Sequence, residues 1–359
     1  MLTRHKISCD PNFYEAWPDV VLTRSGKLLC VFSECTHHGD RSYTRIVMVE
    51  SCDRGRTWSD KRALTEGTRG TGYFYNCPRI SRLKDERLCI CVDRVPLGDE
   101  DQMQQSAKVL LYFSRDEGQS WSKPQETPLI GIVPDKLLEL ESGRWIISAH
   151  HRENGFLTQF LHYSDNRGQT WSPQITAGQK RGLNLCEASI LPLKDGRLVA
   201  FFRENSGRGL DCMKTISEDS GKTWSNPIKF PLPGCHRPVA GFLQDGRIMI
   251  TYRFMQGGSG WLGSWTQNFF AAISDPASVS AKTRNRASCR IMPLDFDRSP
   301  KSDLGYSGWT QFPDGEIYVV NYIVDDAYDK AQIRGYSFRP EDFTLPPRPA
   351  GKVAVKLEH

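Results

Sequence analysis

A strand, a tight turn and a second strand recur six times along this chain, and that repeat restricts the fold more than any other feature. The copies read "PDVVLTRSGKLLCVFSE" from 18, "PRISRLKDERLCICVDR" from 78, "DKLLELESGRWIISAHH" from 135, "ASILPLKDGRLVAFFRE" from 188, "PVAGFLQDGRIMITYRF" from 238 and "SGWTQFPDGEIYVVNYI" from 307. Their turns centre on Gly26, Glu86, Gly143, Gly196, Gly246 and Gly315, about 50 to 70 residues apart. Asp-Gly or Ser-Gly between apolar runs signals a β-hairpin, and a fixed period of this length signals repeated blades or a solenoid. A further apolar run follows each of the first four hairpins, then a tryptophan-ended octapeptide, then a short strand-like tail. Four strands per unit, repeated six times without a long amphipathic helix, predict an all-β six-bladed β-propeller with four-stranded antiparallel blades. Two packed β-sandwiches are the alternative, although a sandwich would not require equivalent hairpins.

The pattern predicts one propeller domain over 1–356. Its blades fall near 16–66, 77–128, 132–178, 185–230, 235–293 and 305–345, and the strand 3–9 closes the last of them. The terminal "LEH" at 357–359 resembles an expression-tag remnant and is set aside.

The octapeptides are "SCDRGRTW" at 51, "SRDEGQSW" at 114, "SDNRGQTW" at 164 and "SEDSGKTW" at 217. Gly55, Gly118, Gly168 and Gly221 permit a left-handed turn. Asp53, Asp116 and Asp219 can bond the turn's amides, a task that Asn166 performs without charge. Trp58, Trp121, Trp171 and Trp224 provide apolar plugs. Because a neutral asparagine serves in one copy, the boxes read as structural. The fifth and sixth units keep only "AAISDPAS" and "RGYSFRPED" there.

S-x-D-x-G-x-[ST]-W resembles the Asp-box, or BNR repeat, of the sialidase superfamily, and the boxes with their hairpins cover nearly the whole chain. Asp-boxes also occur in propellers that are not sialidases, so they mark a fold class and leave the reaction to the site.

A propeller gathers its ligand at the axial mouth, where hairpin ends converge. Nine residues before each turn centre stand Trp17, Cys77, Pro134, Glu187, Arg237 and Tyr306; seven after it stand Ser33, Asp93, His150, Arg203, Arg253 and Tyr322. "CEASILPLKDGRLVAFFRE" resembles the sialidase segment in which a glutamate assists the catalytic tyrosine and an arginine grips the substrate carboxylate, which maps onto Glu187 and Arg203. "GYSGWTQFPDGEIYVVNYI" resembles the segment carrying the tyrosine nucleophile, mapping it onto Tyr306. A phenol has a reference pKa of about 10, so a carboxylate must take its proton during attack. In "CTHHGDRSYTR", Asp40 matches the family's acid/base, and His37, His38 and Arg41 crowd the same loop. "SAHHRE" adds His150 and His151 to the expected mouth. A Glu–Arg pair that only neutralises a strand end, and a tyrosine that only packs, are the structural alternatives.

The chain departs from the family where its opening arginine should stand, reading Ala16, Trp17 and Pro18, and again in "MQGGSGWLGSWTQNFF", which contains no arginine. Arg237, Arg253 and Arg94 are the candidates to compensate. The departures weaken sialic acid as the expected substrate and leave an acidic sugar. The resemblance implies a sialidase-like glycoside hydrolase with Tyr306 as nucleophile, Glu187 as its base and Asp40 as acid/base. Arg203, Arg253, Arg237, Arg94, His37, His38, His150, His151 and Trp17 are the expected substrate ligands. Two alternatives stand beside it: a lyase or divergent hydrolase working on a uronate through His150 or His37, and a carbohydrate-binding propeller without turnover.

No cofactor is expected. Eleven cysteines, an odd count often set in apolar runs, fit buried thiols better than disulfides, and no paired C-x-x-C suggests zinc. The expected partner is a carbohydrate. A net charge of +5 from 47 basic and 42 acidic residues, without a basic run, does not support a nucleic-acid partner. No stretch approaches the roughly 18 apolar residues of a membrane span, and the oligomeric state is not legible. The N terminus lacks a signal's apolar stretch, so a cytoplasmic protein is expected, or a secreted one whose signal peptide is absent from this chain.

Overall fold

The computed structural model describes residues 1–256, 266–325 and 330–344. Residues 345–359, positions 326–329 and 345 of the sixth expected blade, and part of the arginine-free segment after the fifth hairpin lie outside these. The hairpin repeat becomes a ring of six small antiparallel sheets, and the sandwich alternative falls away.

In the first blade the order from axis to rim is Tyr14–Leu22, Leu28–His37, Asp40–Ser51 and Arg62–Ala63. The fourth repeats this with Leu185–Pro192, Leu198–Glu204, Asp211–Ser217 and Ile228–Pro233. The sixth runs Leu304–Gln311, Ile317–Ile323 and Gln332–Phe338, and Thr3–Ser8 from the other end of the chain supplies its outer strand. In the second blade the inner strand is broken into Tyr73–Tyr75 and Arg79–Arg82. Apolar side chains of neighbouring sheets interlock, so Tyr14, Val20, Phe32, Tyr318 and Tyr322 share one cluster across the seam where the ring closes.

Inner strands are sheet edges, and edge amides that point toward the next blade need partners. Asp19 accepts from the Ile80 amide at 2.9 Å, Asp93 from Val133 at 2.9 Å and Asp135 from Ile190 at 2.9 Å. Ser189 Oγ accepts from Ala240 at 3.1 Å, and Ser307 donates to Thr251 at 2.8 Å. This belt holds the blades in fixed register below the mouth.

The octapeptides are ties between blades. In the first, Ser51 Oγ accepts from the Gly55 amide at 2.8 Å, Asp53 accepts from the Thr57 amide at 2.9 Å, and Trp58 donates to the Gly55 carbonyl at 3.1 Å. Gly55 has φ +85°, and a Cβ there would stand 2.2 Å from the Tyr318 ring, so only glycine lets this turn rest on the sixth blade. The third box keeps the pattern without charge: the Thr170 amide donates to Asn166 Oδ1 at 2.9 Å, and Asn166 Nδ2 donates to Thr170 Oγ1 at 2.8 Å. In the degenerate fifth box, Asp275 instead caps the short helix Pro276–Ser280, accepting from the Ser278 amide at 2.8 Å. All eleven cysteines are free thiols, mostly buried.

Candidate functional site at the axial mouth

Four inner strands carry the same irregularity, in which two residues oppose one on the partner strand. Pairing skips between Ala16 and Asp19, Cys186 and Ser189, His236 and Val239, and Gly305 and Gly308. The first residue of each bulge is left-handed: Trp17 at φ 55°, Glu187 at 51°, Arg237 at 49° and Tyr306 at 53°. Each such backbone costs about 1–3 kcal/mol and persists only where its surroundings impose it. A bulge breaks the alternation of a strand and re-aims one side chain. In the third blade this residue is Val133, φ 52°, and not the expected Pro134. The second blade has its break here, at Cys77.

The bulges bring Tyr306 and Glu187 together from the sixth and fourth blades. The Tyr306 hydroxyl donates to Glu187 Oε1, and Arg203 Nη1 donates to the same oxygen at 2.7 Å. Arg203 Nη1 also lies 3.5 Å from the Tyr306 oxygen, and its Nη2 bonds Asn205 Oδ1 at 2.8 Å. The Arg253 guanidinium carbon stands 5.4 Å from the Tyr306 ring centre. Tyr306 and Glu187 retain only 8% and 4% of their exposure, so their oxygens form the floor of a deep site.

Burial raises the pKa of Glu187, but the Arg203 and Arg253 cations and the Tyr306 hydrogen bond outweigh it and hold the carboxyl at about 2. Burial, with the adjacent Glu187 charge, pushes the Tyr306 phenol well above its usual value against the opposing arginines. The resting pair is therefore a neutral phenol donating to a carboxylate. Proton transfer between them is uphill until the tyrosine oxygen bonds to an electrophile.

A second acidic centre adjoins the first. Asp303 accepts from Tyr14 and His38 through Oδ2 and from Tyr322 through Oδ1 at 2.8 Å, and Arg253 lies 3.9 Å away. Burial opposes its charge, yet the bond from His38, with Arg253 and Tyr14, keeps its pKa below the usual range.

Several expected ligands stand elsewhere. Asp40 begins the strand at the exposed tip of its hairpin, where it accepts from the Ser42 amide at 2.9 Å; no hydrogen bond joins it to Tyr306 or Glu187 among the described residues. Arg237 is 1% exposed, and its guanidinium bonds the Pro134 carbonyl at 2.9 Å and the Ala188 carbonyl at 3.5 Å. Its guanidinium is spent on these carbonyls at the foot of the site, with its carbon 5.8 Å from the Tyr306 ring centre. Arg94 pairs with Glu126 at 3.6 Å and lies over Tyr73, away from the Tyr306 group.

His150 is buried beneath Glu187, whose amide donates to its Nδ1 at 3.3 Å. Burial, with Arg203 and Arg237 against Glu187, lowers its pKa to about 3. It is a neutral scaffold group and not a base facing solvent. His151 stacks on Phe160 with ring centres 4.2 Å apart. His37 Nδ1 accepts from the Gly39 amide at 3.2 Å, bracing its own turn. Trp17 is 2% exposed because Arg41 covers it, the guanidinium carbon 3.8 Å from the ring centre. Asp303, Tyr14 and Asn205 were not expected. Asp303 lies three residues before Tyr306, but its partners Tyr14 and His38 become neighbours only when the ring closes.

Among the described residues, Asp10, Glu15 and Glu34 could share a metal ion. The Lys61 ammonium occupies their centre, at 2.9, 3.0 and 2.5 Å. No helix among these residues is long and apolar enough to cross a membrane.

Residues 80–319 match the family model of the BNR repeat-like domain. A sialidase of Paraclostridium sordellii is 22% identical over 293 residues, covering 76% of this chain and 61% of that protein. The chain thus spans about three fifths of that relative, and 54% of a similar Clostridium perfringens sialidase. Among solved structures, a Dyadobacter fermentans protein of unknown function superposes with a TM-score of 0.76 at 20% identity, over 94% of this chain and 98% of the other. The intramolecular trans-sialidase of Ruminococcus gnavus gives 0.66 at 14% identity, over 93% and 96%. At such identities the structural likeness is one of fold.

Proposed function

Because the chain belongs to the BNR repeat-like domain family, within the sialidase superfamily of Asp-box propellers, we propose that it is a glycoside hydrolase that removes a terminal acidic sugar. The observation that carries this reading is the hydrogen bond from Tyr306 to Glu187 with Arg203 on the same carboxylate. Tyr306 attacks the anomeric carbon while its proton passes to Glu187. The Arg203 and Arg253 cations stabilise the phenolate that forms in the second step and attract the carboxylate of the sugar. Two displacements at one carbon retain its configuration. The enzymatic reading draws on the sialidases of similar sequence, and handling of the sugar rests on Arg203 and Arg253, since no guanidinium stands at Ala16.

The uronate lyase reading loses support because His150 is buried and neutral and His37 braces its own turn. The test is release of fluorophore from 4-methylumbelliferyl glycosides of N-acetylneuraminate and glucuronate by wild type and Tyr306→Phe. The proposal expects turnover of at least one, lost by at least ~10³-fold in the variant with binding retained. Absorbance growing near about 235 nm on a uronate polymer would instead identify a lyase, and binding without product would leave a non-catalytic lectin.

A further inference from the structure

The Tyr306 and Glu187 pair accounts for the nucleophile and its base; the departing oxygen needs a proton donor of its own, and among the described residues Asp40 accepts from the Ser42 amide at the hairpin tip. We propose that His38, oriented by Asp303, supplies that proton and later takes one back, with Asp303 as its positioning residue. This rests on the tyrosine-nucleophile reading above.

Asp303 is immobilised from several sides. Its own amide donates to Asp297 at 2.9 Å, its carbonyl accepts from Val324 at 3.1 Å, and its carboxylate takes bonds from Tyr14, Tyr322 and His38. A carboxylate so surrounded by donors stays ionised, which makes it a poor acid and a good anchor for an imidazolium. Its bond to His38 Nδ1 fixes that nitrogen as the donor and turns Nε2 outward. The His38 side chain is 45% exposed, whereas Asp303 is 16% exposed, so of the two only the imidazole readily meets a substrate.

The placement is equally specific. The His38 ring meets Trp17 edge-on at 5.3 Å; Trp17 lies 5.8 Å from Tyr322, and Tyr322 6.3 Å from Tyr306. One aromatic wall thus joins His38 to the nucleophile. Arg41 pins the loop by donating to the His38 carbonyl at 3.1 Å while lying over Trp17. Facing His38 are Asp303, Tyr14 and Arg41, with His37 and Asp40 on the same hairpin tip, while Tyr322 and Arg253 face it through Asp303. On the far side of Asp303 a cavity of about 630 Å³ is lined by Tyr14, His37, Lys301 and Asp303.

In the first step imidazolium Nε2–H gives its proton to the glycosidic oxygen as the C–O bond breaks with both electrons on oxygen; the Tyr306 oxygen bonds the anomeric carbon and its proton moves to Glu187. In the second step neutral His38 takes a proton from water as its oxygen bonds the anomeric carbon, the Tyr306 bond to that carbon breaks with both electrons on the phenol oxygen, and Glu187 returns the proton to the phenolate.

The experiment compares leaving groups. 2,4-Dinitrophenyl glycosides depart without protonation, and methyl glycosides require it. On N-acetylneuraminate and glucuronate substrates, His38→Gln is expected to lose ~10²–10⁴-fold in kcat/KM toward the methyl glycoside and less than ~10-fold toward the dinitrophenyl one. Asp303→Asn should show the same selectivity to a smaller degree, and added imidazole should restore part of the methyl glycosidase activity of His38→Gly. Thermal unfolding checks that each variant folds. Equal losses on both substrates, an unaffected methyl glycosidase, or the selective loss appearing in Asp40→Asn would overturn the assignment while leaving the nucleophile reading intact. A wild type inactive on every substrate would overturn both.

Discussion

Removing Arg203 should expose how strongly Glu187 depends on it. The carboxyl is held at about 2 against its ordinary 4.5, with burial pulling the other way and the Arg203 charge the largest opposing influence. A fall from 4.5 to about 2 is worth about 3 kcal/mol at 1.36 kcal/mol per decade. Arg203→Met leaves that carboxylate buried and short of a partner, and breaking a buried pair from one side costs about 3–5 kcal/mol. Removing both charges in Arg203→Met/Glu187→Gln should cost less than the two single changes together, with a coupling of about 1–3 kcal/mol, Arg253, His150 and Tyr306 supplying the rest of the shift. Urea unfolding of the four proteins at neutral pH measures it.

The same variants yield a pH signature. A carboxyl with a lowered folded pKa adds stability above its unfolded pKa and loses it as pH falls through the folded one. The stability difference between wild type and Glu187→Gln, in which the other carboxylates cancel, should therefore shrink between about pH 4.5 and 2. A coupling under about 1 kcal/mol, or a difference flat over that window, would refute the electrostatic account of this site.

Two further outcomes concern the frame. Gly308→Ala would place a Cβ 1.9 Å from the Asp19 carboxylate, which also holds Arg79 and Lys136, so thermal unfolding should show a loss of about 3 kcal/mol or more; a loss under 1 would refute the close fit. In the third box, Ser164→Ala removes the acceptor of the Gly168 amide at 2.8 Å and should cost about 1–2 kcal/mol in chemical denaturation, whereas Asn166→Asp should stay within about 0.5.

The sequence spacing located the mouth better than it assigned the roles there. Seven residues after the turns stand Ser33, Arg203, Arg253 and Tyr322, and each pairs with the residue just before a bulge. The bulges themselves were invisible, because nothing in the residue types of Trp17, Glu187, Arg237 and Tyr306 demands a left-handed backbone. Arg237 shows the consequence: its position was legible, but its carbonyl partners Pro134 and Ala188 become available only through the geometry of two other blades. His150 likewise reads as a surface base until Glu187 is seen above it. Asp40 was favoured by its place after the first hairpin, whereas Asp303 meets His38 across 265 positions of chain, a contact that local pattern does not record.

The strand Thr3–Ser8 pairs with Gln332–Phe338, so the sheet that carries Tyr306 draws its rim from one end of the chain and its other strands from the far end. During synthesis the first strand emerges early and has no partner until its complement leaves the ribosome. The cluster at the mouth needs the same closure to set Tyr14 and His38 beside Asp303, so a chain cut short before Gln332 would hold most of the propeller but leave the sixth blade open.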